Sequence, residues 1–341
     1  MAKTAVSDVV IPEIFEGYVI ERTAELAAFG QAGIISADAE FDGLASGGGQ
    51  TVKMPFWQDL SGTRQLLSDS ASLTVNKIAA SQDIARIQND AQAWSVNLLA
   101  KLLSGDDPMA AIGDLLGEYW ARTDEDILVA SCQGVLAAFD AEGGDPNYLD
   151  IASESIAGTL PATRLTGDTF IDAVQKMGDR SSRLTAIAMH SAVEADLRKQ
   201  DLIDFIPDSE GKATIATFQG RRVVIDDDLP SRAGTTDGTV YTSVLFGEGA
   251  FAKGSANLSA QALQGGFGTE GVEFARVALD SDDVIINRRR WINHPRGVKF
   301  NSASVAADSP TDAELATAAN WTRVYEAKNV RLVFIDHNID Q

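Results

Sequence analysis

The stretch from Asp107 to Phe139 constrains this chain most, because an apolar helical repeat runs through it without a break. Asp107 can accept hydrogen bonds from the free N–H groups of a first turn, and Pro108 suits the first helical position, where its missing N–H has no partner to lose. Ile112, Leu115, Leu116, Tyr119, Trp120 and Thr123 follow at three- and four-residue steps. Ile127, Leu128, Ser131, Val135 and Phe139 continue them with a slow drift around the axis, as on a long, gently curved helix. Ala110, Gly113, Gly117 and Ala121 make a small-residue row that would let another backbone approach closely. Gly143, Gly144 and Pro146 stop the repeat. At ~1.5 Å per residue the helix is roughly 45 to 50 Å long, a beam that must span a plate or a bundle.

A chain of 341 residues is long enough for about two domains at ~150 residues each. Its 45% apolar and 23% charged residues are those of an ordinary globular protein. No apolar run reaches the ~18 residues that cross a bilayer, so no membrane partner is expected. The opening MAKTAVSDVVIPEIFEG breaks its apolar residues with acids and a proline, so no secretion signal is expected. The formal charge of -21 repels nucleic acid and argues against tight or sequence-specific DNA binding by the surface. The single cysteine, Cys132, excludes an intrachain disulfide and reads as a small buried hydrophobe inside the long helix.

Taken in order, residues 1–10 form a loose arm, and Ile14, Phe15, Tyr18, Val19, Arg22, Leu26 and Phe29 give a short amphipathic helix from Pro12 to Phe29. After Gly47-Gly48-Gly49, Val52, Met54 and Phe56 alternate as in a strand, and Pro55 confines that strand to an edge. A return strand is expected over Leu73–Ile78, continued by Ile84–Ile87, so that 45–90 is a long two-stranded arm. A lone hairpin is barely stable, and an open edge invites association, so the arm needs another subunit to lie on. Trp94, Val96, Leu98, Leu99 and Leu102 predict a short helix ending at Gly105. From about 150 to 255 the pattern changes to a compact α/β domain. Its expected elements are a helix at Thr169–Gly178, a buried strand at Leu184–Met189, a helix capped by Ser191 and running to Lys199, and strands at Gly220–Ile225 and Tyr241–Phe246. The end is β-rich: Gly271–Leu279, Asp283–Trp291 and Val324–Phe334, with a turn at Asn293–Gly297 and a surface insertion at Asp308–Ala319.

No constellation for catalysis, a cofactor or a metal emerges. Gly266-Phe267-Gly268-Thr269-Glu270-Gly271 has dinucleotide spacing, but a strand follows it where phosphate binding needs a helix. His190, His294 and His337 lie in separate regions, one cysteine is too few for a zinc set, and neighbours in sequence do not suggest a Ser-His-Asp triad. Asp226-Asp227-Asp228 reads as a solvated loop rather than a cation site. Arg288-Arg289-Arg290 is the compact basic cluster. In a strand its alternate members Arg288 and Arg290 share a face, which suits ion pairs with acids of a neighbouring subunit better than a nucleic-acid patch.

An arm, a long hairpin, a beam-like helix, an inserted α/β domain and returning strands together resemble the major capsid proteins of tailed bacteriophages, with the fold named after phage Hong Kong 97. Val52-Lys53-Met54-Pro55-Phe56-Trp57-Gln58-Asp59-Leu60-Ser61-Gly62 is similar to the hairpin motif of one group within that fold, and Trp291-Ile292-Asn293-His294-Pro295-Arg296-Gly297 to its late turn. The resemblance implies an α+β fold with an N-terminal arm and short helix (1–44), an extended loop (45–90), a peripheral domain with the spine helix at 107–139 (91–149), an axial domain (150–265) and peripheral return strands (266–341). It implies hexamers and pentamers closing into an icosahedral shell around double-stranded DNA, built in the host bacterial cytoplasm on a scaffolding protein and filled through a portal protein, with a decoration protein as a further partner. Because the chain begins close to its arm, a separate scaffold, or one already removed, is expected. Lys53 and Lys77 lie in the loop, yet no motif carries over the Lys–Asn cross-link of some relatives. Across subunits, Phe56, Trp57, Leu66 and Leu67 are the expected apolar anchors, with Arg64, Arg288 and Arg290 as ion-pair partners. Two other readings fit less well: an encapsulin-like shell enclosing protein cargo, and a soluble α/β hydrolase or binding protein, for which no motif is present.

Overall fold

The computed structural model describes residues 29, 32–37, 39–60, 62–66, 73, 75–97, 108–154, 160–207, 214–234, 238–256, 271–277 and 282–339. The helix expected from Pro12 to Phe29 lies outside them except for Phe29, and the 266–271 glycine motif except for Gly271. The long helix runs from Pro108 to Ala141, 34 residues and hence about 51 Å, and ends where Gly143 and Gly144 take φ of +63° and +91°.

Among the described residues an 8-stranded sheet is the plate under this beam. Its order is Tyr148–Asp150, Leu332–Asn338, Thr239–Gly247, Leu184–Met189, Arg221–Ile225, Thr214–Phe218 and Ile203–Pro207, with Ser231–Ala233 also paired to Thr239–Gly247. Successive side chains of a strand point to opposite faces, and here both faces are covered. Leu332, Phe334, Val244, Phe246, Ala186 and Ala188 pack with Leu128, Val135 and Phe139 of the long helix. Val333, Ile335, Leu245, Ile187 and Met189 meet Phe170, Val193 and Leu197 of the helices Gly167–Gln175 and Ser191–Lys199 on the other side. Phe139 stands edge-on to Phe334 at 6.0 Å.

A 6-stranded sheet carries the arm, in the order Ile35–Ala37, Phe251–Ser255, Asp282–Pro295, Ala80–Asn97 and Thr51–Trp57, with Gly271–Val277 also paired to Asp282–Pro295. The 18-residue strand Ala80–Asn97 changes partners along its length: residues 80–86 pair with Thr51–Trp57, and 87–97 with Asp282–Ile292. This sheet joins the beam through Arg289. Its guanidinium lies 4.0 Å from the Trp120 ring and 4.7 Å from the Trp291 ring and donates to Asp124 Oδ1 at 2.6 Å, while Lys253 pairs with the same carboxylate. Cation–π and charge-assisted contacts thus hold helix and sheet together where apolar packing thins out.

Several elements differ from expectation. Trp94 to Asn97 belong to a strand and not to a helix, because a partner at Asp282–Val284–Ile285 supplies ladder hydrogen bonds, and a short Trp-x-Val segment suits either period. Leu73 and residues 75–78 form no strand, since among the described residues nothing pairs with them and the ladder begins at Ala80; Thr74 lies outside the described residues. Val324–Phe334 breaks into Trp321–Arg323 and Leu332–Asn338, separated by a 3-10 turn at Ala327–Asn329. The second piece crosses into the 8-stranded sheet beside Thr239–Gly247, so the last strand completes the sheet of the middle region. The cap of the helix at Ser191 is His190, whose Nδ1 accepts from Ala192 N at 3.0 Å; Ser191 is already helical. Asp308–Ala319 is no surface insertion, because Thr311 and Glu314 form a capping box around the short helix Asp312–Leu315 and Leu315 is buried against the long helix.

That docking uses Gly134. A Cβ there would collide with the Leu315 carbonyl and the Trp321 indole nitrogen, which are themselves hydrogen-bonded at 2.6 Å. The close approach expected along the row at Gly117 is instead found here, and a Cβ on Gly117 would meet nothing within 4 Å. Gly134→Ala is therefore expected to destabilise the subunit by about 1–3 kcal/mol through overpacking, against its helix propensity, whereas Gly117→Ala should stabilise by up to ~1 kcal/mol. The denaturation midpoints of the two unassembled variants decide this.

A second expectation concerns acid. His337 is fully buried, with Nε2 2.9 Å from Ser243 Oγ, and burial lowers its pKa from 6.5 to about 4. The unfolded chain therefore binds the extra proton between those values, so this contribution is complete above pH 6.5 and is lost as pH falls to 4, by about 3 kcal/mol. His337→Gln should flatten the fall in denaturation midpoint over that window.

Candidate inter-subunit surface

The root of the arm is built where the two motifs meet. Thr51–Trp57 forms an edge strand, as Pro55 requires, opposite residues 80–86. On the returning strand Asp83 is buried, and its carboxylate accepts from the His294 imidazole at 3.0 Å and from the Gly297 N–H at 3.1 Å. Burial pushes this carboxyl up, but His294 and the Gly297 and Ile84 N–H groups more than offset that and leave it below its ordinary value. Gly297, at φ +88°, lets the Tyr325 ring lie against the turn, and Phe56 stands edge-on to that ring at 4.7 Å. The Val52–Gly62 and Trp291–Gly297 motifs, more than two hundred residues apart in the chain, thus form one clasp at the foot of the arm.

Beyond the clasp the described residues of the arm form no ladder. Trp57 is 69% exposed, Leu60 80%, Leu66 79% and Val75 88%, and Leu73 and Ile78 are exposed as well. So many apolar side chains in one segment exceed the scattered exposure normal for a surface. The expected anchors divide accordingly. Trp57 and Leu66 are open, Phe56 packs on Tyr325 of its own chain, and Leu67 lies outside the described residues. Arg64 is exposed.

The arginines expected as ion-pair partners are placed differently from one another. Arg290 donates to the carbonyls of Ala45, Gly47 and Gly49 at 2.9, 2.7 and 2.8 Å, which tethers the glycine run where the arm departs. Arg288 is half-buried in the ladder opposite Ala91 and Gly271, and Arg289, on the other face, is the residue that grips the long helix. Sequence reading missed Asp83 and Tyr325 as arm-holding residues, because the contacts that define them come from the far end of the chain. It named Leu60 without making it an anchor, although its exposure among polar neighbours is legible.

The remaining candidates serve structure. Cys132 is buried and its thiol is pushed up by burial, so it is a core side chain. The buried Ser243–His337 pair has an Asn338 carbonyl, and not a carboxylate, 3.3 Å from the other imidazole nitrogen. Asp227 Oδ1 accepts from Ser191 N at 3.0 Å, tying the loop to the start of a helix 36 residues earlier, and Asp226 Oδ1 accepts from Asp228 N at 2.9 Å in a local turn. Among the described residues no three His, Cys, Asp or Glu side chains converge as a metal site, and no helix is long and apolar enough to cross a membrane.

No family model matches the chain. It is 44% identical over 344 residues to the major capsid protein of Bacillus phage SPP1, covering 99% of each. Its fold is similar to the capsid of Ralstonia phage GP4, with a TM-score of 0.56 at 10% identity over 90% of this chain and 88% of that one. It is also similar to the capsid asymmetric unit of cyanophage Pam1, with a TM-score of 0.55 at 9% identity over 92% of both. The helix laid on a plate, the arm clasped at its root and this end-to-end likeness agree: the chain belongs to the bacteriophage major capsid proteins of the Hong Kong 97 phage-type fold, structural subunits of the virion shell and not enzymes.

Proposed function

We propose that copies of this chain associate as hexamers and pentamers into an icosahedral shell around double-stranded DNA, and that the arm is the part that crosses from one subunit to the next. What supports this reading is the set of exposed apolar side chains Trp57, Leu60, Leu66, Leu73, Val75 and Ile78, all but Trp57 lying beyond the end of the ladder among the described residues. Burying such side chains in a neighbour gives roughly 25 cal/mol for each Å² removed from water, the driving force for lateral adhesion. Arg64, exposed between Leu60 and Leu66 in the sequence, supplies a charge that fixes register more than affinity. The charge of -21 supports enclosure of DNA without sequence-specific binding, since an acidic lining keeps a polyanion mobile. A scaffolding protein that sets curvature, a portal protein through which DNA enters and a decoration protein on the outer face complete the reading, with assembly in the host bacterial cytoplasm. Arg288 belongs to it as a half-buried residue of a strand paired on both sides; Arg290 belongs to it through the arm root that it holds.

Trp57→Ala and Leu66→Ala are expected to leave the unassembled subunit's denaturation midpoint within ~0.5 kcal/mol of wild type, because both side chains are exposed, while lowering particle yield by at least tenfold. Sedimentation and electron microscopy measure that yield, and unchanged yields for both variants would remove the arm from the interface.

Asp83→Ala tests the clasp. It leaves His294 and the Gly297 N–H without their acceptor and should cost about 3 kcal/mol in the unassembled subunit. Particles recovered from this variant should be fewer and irregular by electron microscopy; regular particles at wild-type yield would show that the clasp does not aim the arm.

A further inference from the structure

Beside the clasp, at the arm root, lies an open cleft of about 610 Å³. Its lining includes Pro55 and Gln58 from the outgoing strand, Gln82 from the returning strand, and Lys299, Arg323 and Val324 from the small sheet next to the late turn. Among the described residues two cations line it and no carboxylate does, in a chain where 49 acidic residues outnumber 28 basic ones. The two cations are not equivalent. Arg323 is already neutralised by Asp145 and Glu142 at the end of the long helix. Lys299 is half-buried in the strand Val298–Phe300, opposite Thr322, and has no ion-pair or hydrogen-bond partner among the described residues.

An ammonium that lines a cleft without a counter-charge gains when an anion arrives. We infer that this cleft receives an acidic, extended peptide segment of a second copy of the chain, with one Asp or Glu carboxylate paired to Lys299. The inference rests on the assembly reading above and adds a charged lock at the root of the arm to the apolar contacts along it. Gln58 and Gln82 are exposed, and their side-chain amides can meet peptide N–H and C=O groups, while Pro55 and Val324 add apolar lining. A neighbouring copy is the occupant that charge complementarity favours, because each copy carries a surplus of 21 acids. Duplex DNA is disfavoured: phosphate backbones are bound by arrays of cations, and this cleft offers one uncompensated charge.

The test uses the full chain. Lys299→Gln should raise the concentration needed for particle formation about tenfold, Lys299→Glu more, and Lys299→Arg should restore most of it. The wild-type threshold should rise with sodium chloride more steeply than that of Lys299→Gln, while unassembled Lys299→Gln keeps the wild-type denaturation midpoint. In particles mixed from light and isotope-heavy copies, zero-length carbodiimide coupling should join Lys299 of one copy to an Asp or Glu of another. Variants that assemble at the wild-type threshold with the wild-type salt dependence, or particles in which other lysines couple and Lys299 does not, would overturn the inference while leaving the arm reading intact. Loss of duplex DNA retention without any change in assembly would overturn it in favour of nucleic acid. A wild-type chain that forms no particles would defeat the assembly reading itself.

Discussion

The buried contact of Asp83 with His294 and Gly297 is the constraint on which the placement of the arm depends. An extended loop with exposed apolar side chains has no preferred direction of its own where, as among its described residues beyond the root, no ladder or core supports it. Direction has to be imposed at the root, and a charge-assisted hydrogen bond in a site closed to water imposes it more sharply than apolar packing, which tolerates sliding. The contact also ties the strand that returns from the arm to the turn that closes the late ribbon, so moving the arm means moving the turn. The same turn leads into Val298–Phe300, where Phe300 stands edge-on to Trp321 at 5.0 Å beneath the long helix.

The molecule separates two kinds of adhesion. Its interior is held by large apolar faces, above all the 8-stranded sheet with the long helix on one side and shorter helices on the other. Where elements meet near the surface, the joints are charged: Arg289 between Trp120 and Trp291 with Asp124, Arg323 with Asp145, and Arg290 on three carbonyls of the glycine run. Directional joints of this kind preserve angles between rigid parts, and angles between rigid parts set the curvature of a shell. Most of the large apolar side chains left exposed among the described residues lie on the arm, the surface that a neighbour can complete.

Much of this was readable from residue order alone. Local rules specify the beam, since its repeat, its proline start and its two left-handed glycines need no partner to be recognised. The edge position of Thr51–Trp57 follows from Pro55, and the buried run Leu184–Met189 from its unbroken apolar character. The capping box at Thr311–Glu314 was equally local and marks a docked helix where a surface insertion was expected. Of the candidate interface residues, Trp57 and Leu66 are open as anticipated, whereas Phe56 is held by its own chain.

Non-local pairing decided the rest. Whether Trp94 and Val96 continue a helix or a strand depends on Asp282–Ile292, and whether Leu332–Asn338 returns to the beam or completes the plate depends on Thr239–Gly247. A ladder is stabilised by its partner, and nothing within the strand's own residues states who that partner is. The same reason hides Asp83, Tyr325 and Lys299, each ordinary in its local sequence and given its role by a segment some two hundred residues away or by a cleft between segments. By itself, then, the order of residues determined the beam, the exposed arm and the alternation of the buried strands, because these rest on periodicity and local backbone chemistry. Only the tertiary structure decided which strand completes which sheet and how the arm is aimed, because those outcomes rest on contacts between distant parts of the chain.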